Sequence, residues 1–166
     1  MSFTSFFTGN PLEDYPLALQ QLPLLFEGEP NWVANLANCS SLLNQCLTNI
    51  NWVGFYLLDL SKPNPELVLG PFQGLPACLR IPFGKGVCGT SALTQTTQVV
   101  PDVDKFPGHI ACDSQSKSEI VIPLFDSKGV WGVLDIDSPI LNRFGIEEVD
   151  LLEMVGKILC ETIQYR

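Results

Sequence analysis

Two apolar segments separated by a short polar turn constrain the fold of this chain more than any other feature. EIVIPLF at 119–125 and VWGVLDID at 130–137 are rich in β-branched residues, and DSKG between them is typical of a hairpin turn. The pattern therefore predicts two antiparallel strands. Strict alternation along the second strand predicts that one face carries Trp131, Val133, Asp135 and Asp137. The other face then carries Val130, Gly132, Leu134 and Ile136.

A second hairpin and two amphipathic helices complete the predicted framework. WVGFYLL at 52–58 and LVLG at 67–70 flank a polar turn, and alternation puts Trp52 on the same face as Tyr56. Apolar residues recur at helical spacing over 31–50 and from about 145 to about 165. This order predicts an α+β fold, with a central antiparallel sheet, helices packed mainly on one face of the sheet and a loop-covered pocket on the other face.

The length and composition favour one globular domain. The chain has 166 residues, of which 46% are apolar and 16% charged, and we expect residues 1–166 to form a single unit. Residues 1–23 have little periodicity, so no helix is predicted there. The segment 1–30 is expected to dock on the body, with its contacts made by Phe3, Phe6 and Phe7.

Charge and hydropathy exclude several classes of protein. The net charge is −9, with 18 acidic against 9 basic residues and no basic stripe, which argues against a nucleic-acid partner. No apolar stretch is long enough for a transmembrane helix, and the N-terminus lacks the pattern of a signal peptide. A cytoplasmic location is therefore expected. In a reducing compartment, the six cysteines indicate redox, metal or packing roles.

Three cysteines lie in settings typical of reactive thiols. Cys78 and Cys88 bracket a short strand-like run and a glycine-rich turn, and Cys112 lies in a long loop before the first strand of the 119–137 hairpin. A thiol in a loop at the mouth of a pocket can ionise and react, whereas a buried thiol is inert. The remaining cysteines lie on or beside helical apolar stripes and are expected to be packing residues: Cys39, Cys46 and Cys160.

The sequence also contains a cluster of acidic residues. Asp135 and Asp137 share one strand face, and Glu119 begins the neighbouring strand. Like charges side by side on a strand repel each other. One interpretation is a solvated acidic face. The other is a small anionic pocket that holds an ammonium group, a metal or a shared proton.

Two other motifs have weaker interpretations. GKGVCG matches the dinucleotide pattern, but it lacks the parallel strand–turn–helix context, so its glycines are expected to supply tight turns. A zinc site from Cys78, Cys88, Cys112 and His109 lacks a C-x-x-C pair. A positive His109 imidazole beside Cys112 would help to keep a thiolate, and we state this as a hypothesis.

Six segments of the chain, taken in order, carry a resemblance to a known family: NWVGFYLL, LVLGPFQG, RIPFGKGVCGT, KFPGHIACD, SEIVIPL and GVLDIDS. They resemble the free methionine-R-sulfoxide reductases, which are stand-alone GAF-domain enzymes. The resemblance covers about residues 36–163 and implies a GAF-type fold. It implies that Cys112 is the catalytic thiol, Cys78 the main resolving thiol and Cys88 a second one. It also implies a substrate pocket to which Trp52 and Tyr56 belong, in which the Trp52 indole packs on the methyl group of the sulfoxide. The acids Glu119, Asp135 and Asp137 orient the substrate in this pocket and assist oxygen removal.

The implied reaction reduces free L-methionine-R-sulfoxide through a sulfenic acid and an intramolecular disulfide, which thioredoxin recycles, in defence against oxidative stress. No cofactor and no metal are implied. The sequence does not fix the oligomeric state, and a homodimer remains an option. Two other interpretations are a cyclic-nucleotide or chromophore-binding GAF module and a thiol-based oxidant sensor, but neither needs the three acids.

Overall fold

The computed structural model describes residues 7–110 and 113–165. In this part of the chain one antiparallel sheet has the strand order β3-β2-β1-β6-β5-β4. The strands are β1 Trp52–Leu58, β2 Glu66–Gly74, β3 Arg80–Pro82, β4 Gln98–Val100, β5 Ser118–Asp126 and β6 Gly129–Ser138. The helices are α1 Pro11–Phe26, α2 Trp32–Cys46, α3 Gly86–Thr94 and α4 Ile146–Thr162, with a 3-10 helix at Val103–Lys105. No helix within the described ranges is long and apolar enough to cross a membrane.

Both predicted hairpins are present, and they lie side by side. β1 pairs with β2 and β5 pairs with β6, while β1 and β6 also pair with each other at the centre of the sheet. The predicted helices at 31–50 and at 145–165 correspond to α2 and α4. The predicted α+β fold is therefore confirmed.

The two faces of the sheet bury different sets of residues. Helices α2 and α4 cover one face, and α1 packs against both of them. Together they form the main core with the apolar side chains Val53, Phe55, Leu134 and Ile136. Helix α3 and the loops cover the opposite face, where Trp52, Tyr56, Val121 and Val133 meet Val87 and Cys88. The alternation predicted for β1 is confirmed, and it leaves the second face free for a pocket.

Helix α1 was not predicted, and the expectation of an irregular segment there is wrong. The Asn10 side chain accepts a hydrogen bond of 3.2 Å from the main-chain N–H of Leu12, and Pro11 occupies the first turn, where no N–H is needed. Four buried apolar residues form its inner face: Tyr15, Ala18, Leu22 and Phe26. Their burial against α2 and α4 outweighs the main-chain hydrogen bonds that Pro16 and Pro23 remove.

Among the three phenylalanines expected to dock on the body, only Phe7 lies in the described part of the chain. It packs, partly buried, against the main core. Phe3 and Phe6 lie outside the described residues.

A β-bulge corrects the predicted faces of β6. Leu124 pairs with Gly132 and Phe125 pairs with Val130, so Trp131 is an extra residue in β6. The bulge reverses the alternation at this point, and Trp131 is fully buried in the main core rather than on the face of Asp135. Val130 accordingly faces the opposite side, which is the reverse of the prediction.

Candidate active site

A pocket opens on the sheet face that α3 and the loops cover. Its empty volume is about 530 Å³, including the open mouth. The floor comes from β1, β5 and β6, and one wall comes from the first turn of α3. We call it the acidic pocket, and its main side chains are Trp52, Tyr56, Cys88, Glu119, Asp135 and Asp137.

Strand register brings the three predicted acids together. Glu119 of β5 lies opposite Asp137 of β6, and Asp135 is two residues earlier on the same face. On the other side, β1 places Trp52 opposite Asp137 and Gly54 opposite Asp135. The pocket interpretation is therefore favoured over a solvated acidic face.

The three carboxyl groups are poorly solvated. Glu119 and Asp135 are each 5% exposed, and Asp137 is partly exposed. Burial raises the pKa of all three well above the ordinary value, and the negative charge of a neighbouring carboxylate raises each pKa further. Asp135 Oδ1 has no hydrogen-bond partner. Within residues 7–110 and 113–165, no lysine or arginine forms an ion pair with these acids.

His109 is the basic side chain closest to the acids in the described ranges. Its Nε2 atom lies 3.5 Å from Glu119 Oε2. Burial lowers the pKa of His109 below its ordinary value, so the imidazole is mainly neutral near pH 7. The hypothesis of a positive imidazole that stabilises a thiolate is therefore not supported at neutral pH.

Trp52 lies between two other aromatic rings. It stacks on Tyr56 with centroids 5.9 Å apart and on Phe72 with centroids 5.3 Å apart, and its Nε1 donates to the Leu75 carbonyl at 3.1 Å. A Cβ atom at Gly54 would meet both Trp52 and Phe72, so glycine is required to keep this stack. Phe72 and Leu75 were not identified from the sequence, because their contacts depend on the β1–β2 register.

The Tyr56 hydroxyl is used for positioning. It donates a hydrogen bond of 3.0 Å to the main-chain carbonyl of Cys78, while the ring lines the pocket. Burial and the nearby acids raise the pKa of Tyr56 well above its ordinary value, so this hydroxyl keeps its proton. Tyr56 thus tethers the segment that carries Cys78 to β1.

The predicted redox cysteines occupy different environments. Cys78 is partly buried and disulfide-bonded, whereas Cys88 is a buried free thiol with its Sγ atom 4.0 Å from Glu119 Oε1. Burial, followed by the charges of Asp135 and Glu119, raises the pKa of Cys88 well above the ordinary value. Cys112 lies outside the described residues.

The other three cysteines do not line the acidic pocket. Cys39 and Cys46 are buried free thiols in the main core, and Cys160 is a partly buried free thiol beside it. Their predicted packing positions are confirmed.

The glycines of the GKGVCG segment allow a tight backbone turn. Gly84 and Gly86 have positive φ angles of 77° and 60°, and the Gly84 N–H donates to the Gly89 carbonyl at 2.7 Å. Every strand pairing in the described part of the chain is antiparallel, so a parallel dinucleotide-binding unit is absent there. The disulfide also removes Cys78 from the zinc set considered above.

Asn51 fixes the loop that follows Cys112. Its Nδ2 donates to Asp113 Oδ2 at 2.9 Å and to Ser116 Oγ at 3.1 Å, and its main-chain N–H donates to the Asp137 carbonyl at 3.0 Å. Asp113 and Ser116 both line the acidic pocket. Asn51 and Asp113 lie in segments that carry the family resemblance, but the sequence indicated no role for them, because their contacts form only when β1 and β6 pair.

This arrangement has three chemical capacities. Protonated buried carboxyl groups can donate a proton, and ionised ones can pair with an ammonium group. The Trp52 indole offers a flat apolar surface to a small alkyl or thioether group. The thiols can pass between reduced and oxidised forms.

Comparison with known proteins gives consistent matches. The GAF domain family matches residues 23–163. "Free methionine-R-sulfoxide reductase" of Saccharomyces cerevisiae is 48% identical over 89% of this chain and 87% of its own. The protein of the same name from Escherichia coli is 46% identical over 92% of this chain and 93% of its own. The X-ray structure of free methionine-R-sulfoxide reductase from Neisseria meningitidis in complex with its substrate has a TM-score of 0.90 and 44% identity, covering 98% of this chain and 95% of that chain.

Proposed function

Since the chain belongs to the GAF-domain free methionine-R-sulfoxide reductases, we propose that it reduces free L-methionine-R-sulfoxide to L-methionine with a cysteine thiol as the immediate reductant. The observation that carries the proposal is the acidic pocket itself. It combines three poorly solvated carboxyl groups with an apolar indole, which matches an amino acid that has one ammonium group and one sulfur-bound methyl group. The reactive unit on this view is the single domain formed by residues 1–166.

The acids have two tasks in this proposal. One carboxylate pairs with the substrate ammonium, which replaces the missing cationic partner of the cluster. Another carboxyl group keeps its proton and faces the sulfoxide oxygen. The raised pKa of Glu119, Asp135 and Asp137 supports this division, because one ammonium can neutralise one carboxylate and leave a neighbour protonated.

The thiol step transfers oxygen from substrate sulfur to cysteine sulfur. Proton donation to the sulfoxide oxygen makes the substrate sulfur electrophilic, and the Cys112 sulfur attacks. The sulfur–oxygen bond of the substrate breaks, L-methionine leaves with two more electrons, and Cys112 becomes a sulfenic acid. The proton that Cys112 gives up restores the acid, so the step is balanced in protons.

Resolution of the sulfenic acid requires a second thiol. Cys78 attacks the Cys112 sulfenic acid, a disulfide forms and water leaves. Two observations support Cys78 as the main resolving residue: it is disulfide-bonded, and Tyr56 holds its backbone. Cys88 is the second resolving thiol in this proposal, although its burial disfavours the thiolate. An external dithiol such as thioredoxin, in a reducing compartment such as the cytoplasm, then takes up the oxidising equivalents.

Selectivity for the free amino acid follows from the same acids. An acylated nitrogen loses its charge and most of its hydrogen-bond donors, so a carboxylate would remain buried and unpaired. The R preference follows from two fixed ends of the substrate. With the ammonium on the acids and the methyl group on Trp52, a single orientation of the sulfoxide oxygen reaches a protonated carboxyl group.

The test is turnover of four compounds, namely the R and S epimers of L-methionine sulfoxide and of its N-acetyl derivative, with thioredoxin and its reductase. We expect turnover of the free R epimer alone. Cys112→Ser should abolish it and Cys160→Ser, the matched control outside the pocket, should retain it. Comparable rates for the free and acetylated R epimers would contradict the ammonium-binding role of the acids.

A further inference from the structure

One group of side chains in the acidic pocket has the composition of a metal site. Cys88 Sγ and one carboxylate oxygen each from Glu119 and Asp135 lie within 4.8 Å of one another, and all three residues are buried. His109 Nε2 lies 3.5 Å from Glu119 Oε2 and adds a nitrogen to the group. This set differs from the cysteine set considered from the sequence, because it does not involve Cys78 or Cys112.

The distances fit a small tetrahedral ion. Zinc bonds of about 2.0–2.3 Å place neighbouring ligand atoms about 3.4–3.7 Å apart. The Cys88 Sγ to Glu119 Oε1 distance is 4.0 Å and the His109 Nε2 to Glu119 Oε2 distance is 3.5 Å. The thiol and the two carboxyl groups are therefore close to ligating distance, whereas His109 Nε2 does not lie within 4.8 Å of all three and its side chain must turn toward them.

A second observation points to a missing ligand. Asp135 is 5% exposed, it lines the pocket, and its Oδ1 atom has no hydrogen-bond partner. A buried carboxylate oxygen without a partner is costly, and a cation in the pocket would supply one. The ligand types select the ion: thiolate and imidazole favour zinc over magnesium or calcium, which prefer oxygen-only sites.

We propose that the acidic pocket binds one Zn²⁺ ion through Cys88, Glu119, Asp135 and His109. The ion occupies the position of the substrate ammonium, so zinc competes with free amino-acid ligands. Zinc binding does not rest on the proposed function, whereas its competition with these ligands does. The ion is an inhibitor here and supplies no chemistry to the reaction.

The full-length protein is tested with its Cys78 disulfide intact, which removes Cys78 and its disulfide partner as alternative ligands. Isothermal titration with ZnCl₂ should give one site per chain. Co²⁺ used as a probe should produce a sulfur-to-metal charge-transfer band. Cys88→Ser should abolish the band and weaken zinc binding at least about tenfold, as expected for loss of a ligand. Asp135→Asn should weaken binding independently, and Cys160→Ser should change neither readout.

Several outcomes would overturn the site. These are absence of zinc binding to the oxidised protein, binding that appears only after reduction of the disulfide, or binding that Cys88→Ser and Asp135→Asn leave unchanged. Free L-methionine, which carries the ammonium but is not reduced, should displace the ion. Zinc that binds through Cys88 but resists free methionine would leave the metal site standing and contradict the substrate position in the proposed function.

Discussion

The buried acids make a testable prediction about how stability depends on pH. Asp135→Asn keeps the shape of the side chain and removes one ionisable group from the pocket. Burial raises the pKa of Asp135 in the folded protein, whereas the unfolded chain has an ordinary value of about 3.9. The folded protein therefore binds more protons than the unfolded chain at every pH between these two values.

The sign follows from proton linkage. The contribution of Asp135 to stability is fully present below the unfolded pKa and is lost as pH rises toward the folded pKa. Each bound proton changes the unfolding free energy by about 1.4 kcal/mol per pH unit. The asparagine variant has no carboxyl group at this position and so does not lose this contribution. The difference in unfolding free energy between the variant and the wild type should therefore shift in favour of the variant above about pH 4, by up to about 1.4 kcal/mol per pH unit.

The measurement is urea unfolding of both proteins in the same redox state at several pH values between 4 and 8. The matched control is Asp150→Asn, since Asp150 is exposed on α4 away from the pocket. The difference between control and wild type should change little over this range. The reasoning is refuted if the Asp135→Asn variant loses stability relative to the wild type as pH rises, or if the difference stays constant.

Two further predictions concern the walls of the pocket, and a third concerns a thiol outside it. Tyr56→Phe removes the donor to the Cys78 carbonyl, so we expect a loss of about 0.5–1.5 kcal/mol in unfolding free energy. We also expect slower disulfide formation, which lowers kcat and the KM for the sulfoxide together and leaves kcat/KM little changed. Gly54→Ala pushes a methyl group into Trp52, and calorimetry should register a loss of about 1–3 kcal/mol together with a higher KM. Cys160→Ala should leave turnover with thioredoxin unchanged, and a large loss in the folded variant would place this thiol in the reaction.

The sequence was sufficient to predict the two hairpins of the antiparallel sheet, because their strands are strongly patterned. The two hairpins and the helices α2 and α4 follow from alternation and helical periodicity within single segments. Helix α1 was missed because Pro16 and Pro23 count against a helix locally, while the contacts that stabilise α1 come from α2 and α4. These contacts link segments that are distant in the sequence.

The bulge at Trp131 was unpredictable for a related reason. Strict alternation assumes an unbroken ladder, whereas the extra residue in β6 reverses the faces of Val130 and Trp131. The error stops at the bulge, because the alternation from Val133 onward is regular. Asp135 and Asp137 therefore point into the pocket as predicted.

Some residues of the candidate site could also be predicted from the sequence, and others could not. Its acids could be identified from the sequence because they lie on strands with clear alternation, whereas Trp52 was implied as a site residue by the family resemblance. Asn51 and the carbonyl of Leu75 could not, because their importance lies in hydrogen bonds formed after the strands align. The state of His109 also required the fold, since burial lowers its pKa.

The division of the sheet explains how the fold tolerates an unfavourable pocket. The main core on the helix face contains most of the large buried side chains, including Trp131, Phe55, Leu22 and Leu134. The strands β1, β5 and β6 belong to both faces, so the helix-side core holds rigid the backbone from which the acids project. A carboxyl cluster to which the described residues supply no lysine or arginine ion pair is costly, and it persists because the opposite face supplies the stability. A pocket that recognises the ammonium group of a small substrate benefits from this cost, because the ligand relieves repulsion that the free protein retains.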